Sequence, residues 1–136
     1  MSKQYGFDME FPGTIEQAEQ AITDSLREVG FGVLTRIDVA ATLRKKLGLD
    51  RRPYLILGAC NPKIAAQALE MEEHLGLLLP CNVVIYQDAK DRTIVSVIDP
   101  VAMLSVVGNP ELDAVARDVA ALLKQALAAL TDSASQ

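Results

Sequence analysis

The segment Tyr54-Leu55-Ile56-Leu57-Gly58-Ala59-Cys60-Asn61-Pro62 carries the clearest structural signal in the chain. Its first six residues are nearly all apolar, which predicts a strand buried on both faces. Asn61 is a favoured helix N-cap and Pro62 suits the first helical position, so a helix is expected to begin here and to run to about Glu73. The segment therefore predicts a buried strand that turns directly into a helix, with Cys60 at the corner.

Before this corner, the pattern predicts two strands, each followed by a helix. Residues 5–11 alternate between apolar and polar, as do residues 31–37, whose residues Phe31, Val33, Thr35 and Ile37 are expected on one side. The first strand is followed by a helix that opens with a Thr14/Gln17 capping box. The second is followed by a short helix that Asp38 caps and Gly48 ends.

After the corner, the pattern predicts a hairpin and two helices. Residues 75–80 are expected to form a loop, and residues 82–87 and 93–98 an antiparallel hairpin. Asp99-Pro100 and Asn109-Pro110 each open a helix by the same combination of a cap and a proline.

The order of elements is β-α-β-α-β-α-β-β-α-α, which predicts an α+β fold. We expect one mixed β-sheet of about five strands, with helices mainly on one face. The whole chain of 136 residues is expected to be a single domain, with an ordered core over about residues 5–130 and a frayed polar tail over 131–136.

Composition limits the classes of function. The net charge is −5 and there is no Trp, which makes nucleic acid and anionic membranes poor partners. No stretch approaches the roughly 20 apolar residues of a membrane span, and no apolar signal segment is present. Half of the residues are apolar, which favours a homodimer. Two cysteines do not form a disulfide framework, so we expect reduced thiols and a cytoplasmic location.

The two cysteines are the leading candidates for a site. Cys60 lies beside a helix N-terminus, where the helix dipole stabilises a thiolate; the alternative is a small apolar residue packed at a crowded corner. A Cys-Asn pair occurs at Cys60-Asn61 and again at Cys81-Asn82. If the strands that precede and follow this helix run antiparallel, both cysteines lie at the same end of the sheet, and if parallel, at opposite ends. The sequence leaves both arrangements open.

Arginines offer a further candidate. Arg36 follows an apolar strand next to Asp38, so it either faces a pocket or pairs with that carboxylate. A basic cluster predicts either an anion site or a solvated helix face: Arg44, Lys45, Lys46, Arg51 and Arg52. No catalytic residue, cofactor or metal ligand set is assigned, because the cysteine spacing is not that of a C-x-x-C metal motif and the P-loop, Rossmann and nucleophile-elbow patterns are missing.

Two segments resemble a known family. Gly58-Ala59-Cys60-Asn61-Pro62 and Leu77-Leu78-Leu79-Pro80-Cys81-Asn82-Val83-Val84 are similar to the hallmark segments of the domain of unknown function 302 family, over roughly residues 5–130. The resemblance implies a small bacterial or archaeal α+β domain that forms a dimer. It supplies no mechanism.

Three functions therefore remain open. The first is a dimeric small-ligand-binding module whose site includes Cys60, Asn61, Cys81, Asn82 and Arg36. The second is a thiol-dependent redox or soft-metal-handling protein. The third is a structural or interaction domain without a small-molecule site. Whether the protein is an enzyme is not decided by the sequence.

Overall fold

A computed structural model describes the backbone of residues 5–134 and the side chains of residues 5–130. The strands are β1 (Gly6–Phe11), β2 (Gly32–Asp38), β3 (Tyr54–Cys60), β4 (Cys81–Gln87) and β5 (Thr93–Ile98). The helices are α1 (Ile15–Glu28), α2 (Val39–Leu47), α3 (Pro62–Met71), α4 (Pro100–Leu104) and α5 (Leu112–Ala134). Two 3-10 segments, Glu73–Leu78 and Ser105–Val107, follow α3 and α4.

The five strands form one open sheet in the order β1-β5-β4-β3-β2. The α+β class, the five strands and the order of elements predicted from the sequence are confirmed. The sheet is antiparallel throughout rather than mixed, because all four neighbouring pairs run in opposite directions. In particular, α3 and the 3-10 segment that follows it return the chain to the end of the sheet at which β3 stops.

One face of the sheet is covered by helices and holds the core. Leu55, Leu57 and Ala59 of β3 lie on this face and are almost completely buried. Their neighbours on β4 and β5 are buried with them, and α1 and α5 pack on top. Leucines and isoleucines of both helices complete the cluster: Ile22, Leu26, Leu123, Leu127 and Leu130. A second, smaller cluster joins α3, α4 and α5.

The opposite face of the sheet has no comparable cover among the described residues. Tyr54 and Ile56 of β3 point to it and are only half-buried. Their cross-strand partners Tyr86 and Val84 are half-buried too, and the Tyr54 and Tyr86 rings stack with centroids 5.6 Å apart. The expectation of a strand buried on both faces is therefore wrong for this chain, although both faces of β3 are apolar.

A bulge in β2 changes which of its side chains share a face. Val33 pairs with Ala59 and Thr35 pairs with Gly58, so Leu34 is an extra residue without a partner in the ladder. Val33 packs against the core, whereas Thr35 turns to the opposite face. The prediction that these two residues lie on one side fails, since one inserted residue inverts the alternation after it.

The helix caps follow the sequence closely. Thr14 and Gln17 form the predicted capping box, with the Gln17 N–H donating to Thr14 Oγ1 at 3.1 Å. Asp38 caps α2, and Gly48 ends it in the left-handed region with φ 64°. Asp99 caps α4 as predicted.

The chain after α3 differs in detail from expectation. Helix α3 ends at Met71, and the 3-10 segment Glu73–Leu78 stands where a loop was predicted. Helix α5 continues to Ala134, into the segment predicted to be a frayed tail, and residues 135–136 lie outside the described residues. Within residues 5–134, no helix is both long and apolar enough to cross a bilayer.

Candidate functional site: a cavity lined by two thiols

The direction of β3 and β4 brings the two cysteines to one end of the sheet. The two strands are antiparallel, and Ala59 is the direct partner of Cys81. Cys60 is the next residue after Ala59, so it lies diagonally across from Cys81. Of the two arrangements that the sequence left open, the structure has the one in which both thiols share an end.

Both cysteines line the same small, partly open cavity. Its volume is about 50 Å³, and it is bordered by the end of the sheet, α3, α4 and α5. Apart from Asn61, its side chains are apolar or sulfur-bearing, and none carries a charge. Sites for drug-sized molecules usually measure about 300–1,000 Å³. The cavity therefore suits an occupant of only a few atoms.

The two thiols differ in their surroundings. Both are free in the structure, but Cys81 is buried whereas Cys60 is partly exposed. Burial, together with the smaller effect of the neighbouring Cys60, raises the pKa of the Cys81 thiol to about 11. Cys81 therefore stays protonated at neutral pH unless an electrophile or a metal ion displaces the proton.

The Asn61 side chain has a structural role as the cap of α3. Its Oδ1 accepts a hydrogen bond from the Ile64 N–H at 3.2 Å, which caps α3. Its Nδ2 lies close to Gly30, where an added Cβ would stand only 3.1 Å away. The side chain lines the cavity, but its carbonyl oxygen already has a partner.

Asn82 does not join the cysteine site. It pairs with Gly58, on the face of the sheet opposite to Cys81, and it is exposed. Adjacent residues of a strand point to opposite faces, so the Cys81-Asn82 pair must diverge. Of the two Cys-Asn pairs, Cys60, Asn61 and Cys81 line the same cavity, whereas Asn82 lies apart from it.

Arg36 lies in a different part of the molecule. The β2 bulge turns it towards α1, where it forms a bidentate ion pair with Glu19 at 2.6 Å and 3.1 Å. This hydrogen bonding, together with the charges of Glu19 and Asp38, raises the pKa of Arg36. The ion pair borders an open cleft of about 520 Å³ between α1, α2 and β3. Arg36 thus both borders a cleft and pairs with a carboxylate, but its partner is Glu19 and its cleft is not the cysteine cavity.

The basic cluster is largely paired as well. Arg44 forms an ion pair with Asp50 at 2.9 Å, and the Arg51 guanidinium lies 4.9 Å from the centre of the Tyr54 ring. The cleft they border also contains four carboxylates: Glu16, Glu19, Asp38 and Asp50. With as many acidic as basic side chains, the cleft has no preference for anions.

Sequence reasoning missed the third sulfur-bearing residue of the cavity. Met103 of α4 lines it beside the two cysteines. The helix that carries Met103 was predicted from Asp99-Pro100, and the Met103 N–H donates to the Asp99 carbonyl at 3.0 Å. No local pattern links Met103 to the cysteines, because only the packing of α4 against the end of the sheet brings them together.

Comparison with known proteins bears directly on these segments. A family model described as "Domain of unknown function DUF302" matches residues 7–130. The chain belongs to this family. The DUF302 match covers both Cys-Asn segments, as the resemblance read from the sequence implied.

A solved structure shares the DUF302 fold. The crystal structure of an uncharacterized conserved protein DUF302 from Bacillus stearothermophilus is similar to this chain, with a TM-score of 0.86 and 29% sequence identity. The similarity covers 92% of this chain and 97% of the other. Among curated proteins, none matches.

Proposed function

We propose that this DUF302 chain is a small-ligand-binding module whose site is the cavity lined by Cys60, Asn61 and Cys81. The observation that carries the proposal is the convergence of two cysteines, 21 positions apart in sequence, on one small apolar cavity. Free cysteines are common in cores, but a packed core has few voids larger than a water molecule. The volume of about 50 Å³ restricts the ligand to a few atoms.

Native mass spectrometry of the protein purified from its own host tests this proposal. We expect a retained mass that disappears on acid denaturation. In Ala65→Leu the larger side chain fills the cavity, because Ala65 lines it, and we expect the retained mass to be lost. Ala66→Leu is the matched control, since Ala66 is an exposed neighbour on the same helix. A bare wild-type protein, or equal retention in both variants, contradicts the proposal.

We further propose that the module is a homodimer that pairs through the open face of the sheet. That face presents Ile56, Val84, Tyr54 and Tyr86 from the two central strands and Ile94 from β5. Five strands about 4.8 Å apart and about seven residues long at 3.3 Å per residue give a plan area of roughly 550 Å² per copy. Two copies would cover roughly 1,100 Å², which reaches the ~1,000 Å² of a specific interface.

Sedimentation equilibrium tests the dimer. Wild-type protein is expected at twice the chain mass of 14.7 kDa. Val84→Lys places a charge in the middle of the open face and should yield monomers. Leu77→Lys is the control, because Leu77 is 85% exposed on the 3-10 segment, away from the sheet face. A monomeric wild type, or a Val84→Lys variant that remains dimeric, refutes this interface.

A further inference from the structure

The potential metal ligands around the cavity are sulfur atoms. Three sulfur-bearing residues line it: Cys60, Cys81 and Met103. No carboxylate, imidazole or hydroxyl is among the lining residues, and the amide oxygen of Asn61 is already bonded to the Ile64 N–H. Among the described residues, no group of three or more His, Cys, Asp or Glu side chains could hold a metal ion. A third protein ligand at this cavity would therefore have to be the Met103 thioether.

This donor set discriminates between metals. Thiolate and thioether are soft ligands that favour Cu(I), whereas Mg²⁺ and Ca²⁺ require oxygen ligands. Zinc in structural sites takes four thiolate, imidazole or carboxylate ligands, and the lining residues offer only two of these. The sole histidine, His74, is exposed on the 3-10 segment and does not line the cavity.

The surroundings also suit the charge of a Cu(I) complex. Binding would replace two thiol protons, which pass to solvent, and form two copper–sulfur bonds without a change of oxidation state. The product, one Cu⁺ and two thiolates, carries a single negative charge. Cys60 precedes the cap of α3, a helix of 10 residues, whose N-terminal dipole stabilises that charge. A bare ion is also among the few occupants that a cavity of about 50 Å³ accommodates.

From these features we infer that the ligand of the cavity is a soft monovalent cation of the Cu(I) class, bound by the Cys60 and Cys81 thiolates with the Met103 thioether as a third ligand. The inference rests on the proposed ligand-binding function and names its ligand class. Cys60, which is partly exposed, is the entry point, and Cys81 holds the ion from the buried side, with the partly buried Met103 as the third ligand.

Anaerobic titration of the full chain with Cu(I), in competition with a chromophoric Cu(I) chelator, tests the inference. We expect one ion per chain. Cys60→Ser and Cys81→Ser should each weaken binding by about tenfold or more, and so should Met103→Leu, which keeps the apolar volume but removes the sulfur. Met71→Leu is the matched control, because Met71 packs in the second cluster and does not line the cavity. Its affinity should equal that of the wild type.

Several outcomes overturn the inference. Wild-type binding no tighter than that of the double variant Cys60→Ser/Cys81→Ser excludes the thiol site, and a Met103→Leu affinity equal to that of Met71→Leu excludes the thioether ligand. Tighter binding of Zn²⁺ than of Cu(I) excludes the metal class. If Cys81→Ser does not fold, the Cu(I) affinities of Cys60→Ser and Met103→Leu still test the site. If native mass spectra show a retained organic molecule and the protein does not bind Cu(I), only the metal assignment is overturned. If the spectra show no retained ligand and the protein does not bind Cu(I), the ligand-binding proposal is overturned as well.

Discussion

Substituting Gly58 by alanine should destabilise the fold, although it adds only one methyl group. Gly58 lies in the middle of β3, between Thr35 on β2 and the ring of Pro80. A Cβ at this position would overlap Thr35 Oγ1 and would stand 2.6 Å from Pro80 Cγ. The hydroxyl of Thr35 can rotate away, whereas the proline ring can yield only by a change of pucker or by a shift of its backbone.

The expected size follows from two opposing effects. An extra carbon forced into packed surroundings costs about 1–3 kcal/mol. Replacing Gly by Ala restricts the unfolded chain and returns about 0.4–1 kcal/mol. The net loss should therefore be about 1.5 kcal/mol, which at about 4 °C per kcal/mol for a chain of this size lowers the Tm by about 6 °C.

Urea unfolding followed by far-UV circular dichroism measures this loss, at one fixed protein concentration because a dimer would make stability concentration-dependent. Gly32→Ala is the matched control: Gly32 is also in a strand, but no atom lies within 4 Å of its added Cβ. Its free energy of unfolding should stay within about 0.5 kcal/mol of the wild type or rise slightly. In Gly58→Ala/Thr35→Ala, removal of the hydroxyl should restore part of the lost stability.

The result that would falsify this reasoning is a Gly58→Ala variant as stable as Gly32→Ala. It would mean that Pro80 yields without cost, and that the close packing of Pro80 on β3 does not constrain the corner. A double variant no more stable than Gly58→Ala would place the whole cost on Pro80.

Three further predictions concern the core, the hairpin and the thiols. Leu57→Ala removes a side chain with no exposed surface and should cost about 2–5 kcal/mol in urea unfolding, and a loss below 1 kcal/mol would contradict the placement of the core. The pKa of Asp88 is lowered chiefly by the hydrogen bond from the Arg92 N–H. This carboxylate therefore stabilises the hairpin above its unfolded pKa of about 3.9, and its contribution is lost as the pH falls through the lower folded value. The difference in unfolding free energy between wild type and Asp88→Asn should shrink in acid, and a difference that stays constant with pH would argue against this hydrogen bond. Because Cys81 is buried and its pKa is raised to about 11, iodoacetamide at pH 8 should modify Cys60 and leave Cys81 intact in peptide mass spectra, and equal labelling would refute the buried position.

Much of the fold could be predicted because its signals are local. The Thr14/Gln17 capping box and the Asp38 and Asp99 caps depend on hydrogen bonds within a few residues. The hairpin of β4 and β5 was also predicted correctly. The register of β2 was not, because the bulge at Leu34 depends on its pairing with β3 rather than on its own residues.

The apolar run of β3 shows why burial is harder to predict than strand formation. Apolar residues on both sides predict burial on both faces, yet in the part of the chain that the structure describes helices cover only one face. An apolar pattern indicates that a face of the strand is shielded from water, but it does not indicate whether the shielding residues belong to the same chain. This ambiguity is what the dimer experiment addresses.

By itself, the sequence determined the α+β class, the elements, their caps and the family segments around Cys60 and Cys81. The tertiary structure decided which of the candidate residues share a site. Antiparallel pairing brings Cys60 and Cys81 together, while strand alternation separates Asn82 and the bulge sends Arg36 to Glu19. The position of Met103 at the cavity depends on how α4 packs against the sheet. Caps and periodicities are set by neighbours along the chain, whereas a cavity is set by neighbours in space, which the order of residues does not specify directly.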